Sequence, residues 1–124
     1  MKFMLLIWSN PANWDELSAS RQRELAGDAD AEHAALDEVL LRSGELVISA
    51  ALADPVTTRV VRVRDGAVVS TDGPYAEAKE HLVGYYMVEC DGLDRATEIA
   101  ARIPDARWDR VEVRAAMDLA GLEM

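Results

Sequence analysis

The sequence predicts an α+β fold of the ferredoxin-like type, a split βαβ arrangement whose antiparallel sheet carries an inserted hairpin. Three observations predict this fold class. Apolar strand-like runs alternate with two helical segments, the first run is followed by a long helical period, and an Asp-Gly pair joins two β-branched runs. With 124 residues, of which 50% are hydrophobic, the chain is expected to form a single domain over residues 1–124.

The first strand and the long helix are predicted from residues 2–8 and 18–43. Residues 2–8 are apolar at both parities, which is typical of a strand buried on both faces. One face of the helix carries an apolar stripe in which a histidine is included: Leu25, Ala29, His33, Leu36 and Leu40. Gly44 is expected to cap the helix, and Gly27 leaves two shorter helices as an alternative.

The remaining elements follow from shorter patterns. Asp65-Gly66 is typical of a two-residue hairpin turn, because both positions of such a turn need φ > 0. Pro104 is expected to stop the second helix. The predicted elements are strands over residues 46–52 and 58–64, a strand after the turn, a strand over 84–90, a helix over 93–103 and a strand over 109–114.

Two helices can cover only one face of such a sheet. Because the strands are apolar at both parities, we expect the second face to pack on another copy of the chain. The sequence therefore predicts a twofold-related homodimer, with clefts for ligands between sheet and helices or near the dimer seam.

The charge and cysteine content of the chain indicate which partners and which cellular compartment to expect. The chain has 13 Lys+Arg against 23 Asp+Glu, a formal charge of -10, so neither nucleic acid nor an acidic membrane surface is expected to bind it. The opening apolar run is too short to span a bilayer, and the one cysteine cannot form an internal disulfide. A cytoplasmic location is the expectation.

Several segments together carry a resemblance to a known family. The stretch TDGPYAEAKE, Thr71 to Glu80, is followed by the strand GYYMVE, and the chain also contains KFMLLIW, LLRSGEL, VRVRDGAVVSTDGP and ARIPDARWDRVEVR. These segments resemble the YCII-related superfamily, and within it the branch named for an Asp-Gly-Pro-Phe motif. The chain departs from that motif at Tyr75, where Phe is usual, and at Ala78, where Thr is usual. The resemblance implies a dimeric α/β-barrel of ferredoxin-like domains.

The resemblance also implies a His-Asp pair in the cleft, and we assign it to His33 and Asp72 as candidate catalytic residues. A histidine on an apolar stripe needs a hydrogen-bond partner, because an unpaired buried polar group costs roughly 1–3 kcal/mol. A carboxylate that holds one ring nitrogen would orient the other for acid/base chemistry. The alternative is a core histidine that is satisfied by a backbone carbonyl.

The charged residues after Pro74 are candidate ligand contacts. A short helical turn there would place Tyr75, Glu77 and Lys79 around the rim of a cleft that binds a small polar ligand. The alternative is an ordinary turn in which Lys79 pairs with a neighbouring acid. No spacing typical of a metal site or a phosphate loop is present, so neither a metal nor another cofactor is expected.

Two functions follow as hypotheses. The first is a dimeric protein that binds a small organic molecule in a helix–sheet cleft, with acid/base chemistry at the His-Asp pair. The second comes from the resemblance alone, since some relatives are encoded beside, or fused to, extracytoplasmic-function sigma factors. It is a non-enzymatic accessory protein with a sigma-factor partner. The acidic surface of this chain would complement a basic surface on that partner.

Overall fold

A computed structural model describes residues 1–73, 79–118 and 120–121. Within these residues the chain forms six strands, three α-helices and two 3₁₀ helices. In chain order they are β1 (Lys2–Ser9), α1 (Pro11–Asp15), α2 (Ala19–Ser43), β2 (Leu46–Ala51), a 3₁₀ helix (Pro55–Thr57), β3 (Arg59–Arg64), β4 (Ala67–Asp72), β5 (His81–Glu89), α3 (Leu93–Ala101), a 3₁₀ helix (Pro104–Arg107) and β6 (Arg110–Ala115).

Four strands form the main sheet, in the order β2-β5-β1-β6, and every neighbouring pair is antiparallel. This mixed antiparallel arrangement confirms the predicted α+β class and is consistent with a ferredoxin-like fold. Among the described residues, strands β3 and β4 pair only with each other, as a two-stranded sheet. Their turn places Asp65 at φ 49° and Gly66 at φ 77°, the positive values that the Asp-Gly pair predicts.

Helix α2 is one continuous element of 25 residues, so the alternative of two shorter helices is wrong. The Ser18 side chain accepts a hydrogen bond from a backbone amide of the first turn, and Gly44 ends the helix at φ 78°. Gly27 costs the helix about 1 kcal/mol relative to alanine, but buried leucines of α2 lie on both sides of it in the chain. The buried residues of α2 are Leu25, Leu36 and Leu40.

The core lies between one face of the main sheet and the two longer helices. From the sheet it contains the alternating residues Phe3, Leu5, Ile7, Tyr86 and Val88, and from α2, α3 and the segment after α3 it contains Leu36, Leu40, Ala96, Ile99, Ala100 and Ile103. The opposite face, which we call the open face, carries Met4, Leu6, Tyr85 and Met87, all partly exposed. Both helices therefore cover the same side, as expected.

The sequence did not predict three short elements, one of which is the 3₁₀ helix Pro55–Thr57. Helix α1 begins after Asn10, whose side chain accepts from the amide of Ala12. The 3₁₀ helix Pro104–Arg107 follows α3 and leads into β6, and it places Asp105 beside α2. None of the helices in the described part of the chain is long and apolar enough to cross a membrane.

Candidate functional site

A cavity of about 350 Å³ lies between α2 and the β2–β5 edge of the main sheet. We call it the His33 pocket. Its apolar wall comes from β1, β2 and β5, including Ile7, Ala50 and Val83. Its ionisable side chains are Asp30, His33, Asp37, Tyr86 and Asp105. Such a pocket can accept a small molecule that has an apolar body and polar groups on one side.

His33 is held at both of its ring nitrogens. Nε2 lies 3.0 Å from Oδ1 of Asp105, and Nδ1 lies 3.1 Å from the hydroxyl oxygen of Tyr86. The His33 side chain is 31% exposed and that of Asp105 is 20% exposed, so the pair is partly shielded from water. A carboxylate that accepts from one imidazole nitrogen fixes the orientation of the ring.

The local sequence explains why these side chains meet. Asp30, His33 and Asp37 are spaced three and four residues apart on α2, which places them on one side of the helix. Tyr86 has the same parity in β5 as the buried residues Gly84 and Val88, so its ring points toward the helices.

The 3₁₀ helix that carries Asp105 is tied to α2 by a second contact. Arg107 forms an ion pair with Glu32, with Nη2 and Oε2 2.8 Å apart. Glu32 precedes His33 in the chain, and Arg107 is two residues after Asp105. This pair therefore holds the two segments that bring His33 and Asp105 together.

The Tyr86 phenol is kept neutral by its surroundings. Burial first, and then the nearby Asp37 carboxylate, raise the pKa of Tyr86 well above its ordinary value, with a further contribution from the charge of Asp105. Asp37 lines the pocket, and its Oδ1 is buried without a hydrogen-bond partner among the described residues. Tyr86 therefore stays a protonated phenol that can donate a hydrogen bond, and a resting phenolate is disfavoured.

The predicted pairing of His33 with Asp72 is wrong for the described chain. Asp72 ends β4, its side chain is 92% exposed, and its Oδ1 lies 3.5 Å from Nε of Arg59 on the neighbouring strand. The cross-strand register thus gives Asp72 a partner inside the hairpin, while Asp105 takes the position beside His33. The alternative of a core histidine bonded to a backbone carbonyl is also not observed, since both partners are side chains.

Of the three predicted ligand contacts, Lys79 alone lies in the described part of the chain. Tyr75 and Glu77 lie outside the described residues. Lys79 is exposed and is not part of the pocket lining. Glu80, at the end of the same motif, forms an ion pair with Arg110 and lines a different cavity of about 580 Å³ together with Trp8 and Glu112.

Sequence reasoning missed Asp37, Tyr86 and Asp105. The i,i+4 spacing of His33 and Asp37 and the helix-facing parity of Tyr86 are visible in the sequence and could have identified two of them. No local pattern distinguishes Asp105 from other acids near helix ends. Within the described ranges, no three His, Cys, Asp or Glu side chains are grouped so that they could hold a metal ion.

The fold and the pocket define a class, an α+β domain with an antiparallel sheet and a cleft that contains a His-Asp pair. Residues 1–120 match the YCII-related domain, and the chain therefore belongs to the YCII-related family. A segment of 72 residues is 32% identical to an uncharacterised protein of Rhizobium meliloti (strain 1021). That match covers 58% of this chain and 58% of the relative, so it spans less than two thirds of either protein.

Proposed function

We propose that this protein binds a small organic molecule in the His33 pocket and that His33 and Asp105 support acid/base chemistry there. The observation that carries the proposal is the 3.0 Å contact between His33 and Asp105 in a cavity of about 350 Å³ with an apolar wall. Histidine is the side chain most often used for proton transfer near neutral pH, and an oriented imidazole is the form in which enzymes use it.

The charges of the pocket favour a neutral or cationic ligand. Its described lining contains three carboxylates, Asp30, Asp37 and Asp105, and no lysine or arginine. An anion that entered would lose hydration and meet like charges, whereas an ammonium group or a neutral donor would be attracted. The ligand class that fits is therefore a small molecule with an apolar body and a neutral or positively charged polar end.

We further propose a homodimer, in which two open faces meet as a dimeric α/β-barrel, for a cytoplasmic protein of the Asp-Gly-Pro-Phe branch. The support is the partly exposed apolar set on the open face, Met4, Leu6, Tyr85 and Met87. Light scattering tests this directly, because Leu6→Lys should convert a dimer to a monomer, whereas a change at exposed Leu41 should not.

Native mass spectrometry tests the binding proposal without knowledge of the ligand. Freshly purified wild-type protein should carry extra small-molecule mass that disappears on denaturation. Ala51→Leu should reduce the loaded fraction, because Ala51 lines the pocket and a larger side chain would fill it. Ala53→Leu is the matched control, since Ala53 is exposed and is not part of the lining.

Two results would count against binding in this pocket. One is loading that is equal in the wild type and Ala51→Leu, and the other is a wild-type protein that never carries added mass from any expression host. The roles of Tyr75, Glu77 and Lys79 as ligand contacts stay predictions, and single alanine variants in the same measurement test them.

The hairpin β3–β4 favours a second candidate, an accessory protein that contacts an extracytoplasmic-function sigma factor. Val61, Val63 and Val68 share one face of this hairpin and are 58%, 68% and 71% exposed. Exposed β-branched residues on a protruding hairpin are typical of a protein-binding surface. Changing all three valines to serine should abolish co-purification with a co-expressed sigma factor, and unchanged co-purification would contradict this candidate.

A further inference from the structure

Both polar atoms of the His33 ring are already engaged by the protein. Nε2 contacts Asp105 at 3.0 Å and Nδ1 contacts the Tyr86 hydroxyl at 3.1 Å. An imidazole has no third polar atom, so His33 can reach a ligand directly only by giving up one of these bonds. The Tyr86 hydroxyl lies at the end of this chain of contacts, and Tyr86 is part of the pocket lining.

The charge of the His33 ring decides which atoms donate along the chain of contacts from Asp105 through His33 to Tyr86. An ionised Asp105 carboxylate only accepts, so Nε2 of His33 carries a hydrogen. In the neutral ring Nδ1 is then a lone pair that accepts the Tyr86 O–H. In the charged ring Nδ1 also carries a hydrogen and donates it to the phenol oxygen, so the phenol hydrogen must turn to another acceptor.

Asp37 is placed to be that acceptor. It lies one helical turn after His33 on α2, and its Oδ1 is buried without a hydrogen-bond partner among the described residues. The raised pKa of Tyr86, caused by burial and then by Asp37, agrees with a phenol that stays protonated. The other charged groups near His33 are Asp30 on α2 and the ion pair of Glu32 with Arg107.

We propose that Tyr86 is the residue that exchanges a proton with a bound ligand, while His33, held by Asp105, supplies or takes up the proton that Tyr86 exchanges. In the empty pocket the Tyr86 hydroxyl donates to His33 when that ring is neutral and to Asp37 when it is charged. This inference rests on the proposed function, because it assigns the proton transfer within the same pocket.

When the His33 ring is charged, two protons move in one step. The Tyr86 O–H bond breaks as its proton moves to a lone pair on an oxygen or nitrogen atom of the ligand. The His33 Nδ1–H bond breaks in the same step as that proton moves to the phenol oxygen. Tyr86 ends neutral, His33 ends neutral, and the ligand has gained one proton; the reverse step removes it.

The test uses the ligand-free protein labelled with ¹³C and ¹⁵N. Long-range ¹H–¹⁵N correlations between about pH 5 and 8, the range in which histidines usually titrate, report which His33 nitrogen carries hydrogen. The Tyr86 ¹³Cζ shift reports the hydroxyl over the same range. We expect neutral His33 to carry hydrogen on Nε2, and the Tyr86 ¹³Cζ shift to change with the same midpoint as His33.

Two variants sharpen this test. Asp37→Ala should cause loss of the pH response of Tyr86 ¹³Cζ, whereas Asp28→Ala removes the same charge from an exposed position on α2 and should preserve it. A neutral His33 that carries hydrogen on Nδ1, or a wild-type Tyr86 ¹³Cζ shift that stays constant through the His33 titration, would overturn the inference. Ligand binding is measured separately by native mass spectrometry, so either proposal can fail without the other.

Discussion

His33 and Asp105 are 72 residues apart in the chain, yet Nε2 of the imidazole and Oδ1 of the carboxylate lie 3.0 Å apart. The contact joins the long helix α2 to the 3₁₀ helix Pro104–Arg107. It is the centre of the proposed site, and it replaces the pairing with Asp72 that the sequence predicts.

A double-mutant cycle should find coupling between His33 and Asp105 and none between His33 and Asp72. We expect a coupling free energy of about 1 kcal/mol for the first pair, because His33 forms a hydrogen bond with a carboxylate and both side chains are partly shielded from water. Urea unfolding of His33→Ala, Asp105→Ala, Asp72→Ala and the two double variants measures both. Coupling to Asp72 that equals or exceeds coupling to Asp105 would contradict the observed pairing.

The pocket should bind benzylamine most tightly, benzyl alcohol less tightly and benzoate most weakly. These probes share one ring and differ in charge, and the three pocket carboxylates favour the cation. Asp37→Asn should weaken benzylamine roughly fivefold, as expected for one charge contact near a surface, while Asp28→Asn should change it little. Calorimetric titration measures the order, and tighter binding of benzoate than benzylamine would exclude a cation-selective pocket.

Gly84 should not tolerate a side chain, although Gly27 should. A Cβ at Gly84 would lie 3.0 Å from the backbone oxygen of Ala50 on β2, so one strand must move, and Gly84→Ala should destabilise the fold by about 1–3 kcal/mol. A Cβ at Gly27 meets nothing within 4 Å, and Gly27→Ala should stabilise the helix by about 1 kcal/mol. Chemical unfolding of both variants checks the opposite signs, and an equal effect of the two changes would contradict this packing.

Glu45 should stabilise the fold in a pH-dependent way. Its carboxylate accepts from Nε and Nη2 of Arg95 at 2.9 and 2.8 Å and from the Ser43 hydroxyl at 2.8 Å. The Arg95 hydrogen bonds, against an opposing effect of burial, lower the pKa of Glu45 from 4.5 to about 2. A carboxylate with a lowered folded-state pKa contributes stability above its unfolded pKa, and this contribution is lost as the pH falls through the folded value.

We therefore expect Glu45→Gln to destabilise the protein by about 1–2 kcal/mol at neutral pH, a range that allows for the partial exposure of Arg95. The difference from the wild type should shrink between pH 4.5 and about 2. Glu98→Gln is the control, because Glu98 contacts the same arginine but is 67% exposed, and it should cost little. A Glu45→Gln penalty that is constant down to pH 2 would contradict this account.

Much of the fold could be predicted from the sequence because its signals are local. The apolar run of β1, the period of α2 between Ser18 and Gly44, and the Asp65-Gly66 turn each specify backbone geometry within a few residues. The apolar stripe on the long helix also identified His33. These predictions needed no knowledge of which elements pack together.

The partner of His33 could not be predicted in the same way, because it depends on where a short 3₁₀ helix after Pro104 docks on α2. The choice of Asp72 came from a family motif, and that residue instead pairs across the hairpin with Arg59. Contacts between segments far apart in the chain are set by the packing of whole elements, and no spacing in the sequence encodes them.

The His33 pocket is proposed to bind small organic molecules, and amide chemical-shift mapping with a diverse fragment library locates such binding residue by residue. We expect neutral and cationic fragments to shift the amides of His33, Ser49 and Ala51 at the pocket, and Ala51→Leu to remove these shifts. Fragments that bind only at the cavity beside Trp8 and Arg110, or a library without any binder at the His33 pocket, would contradict the claim.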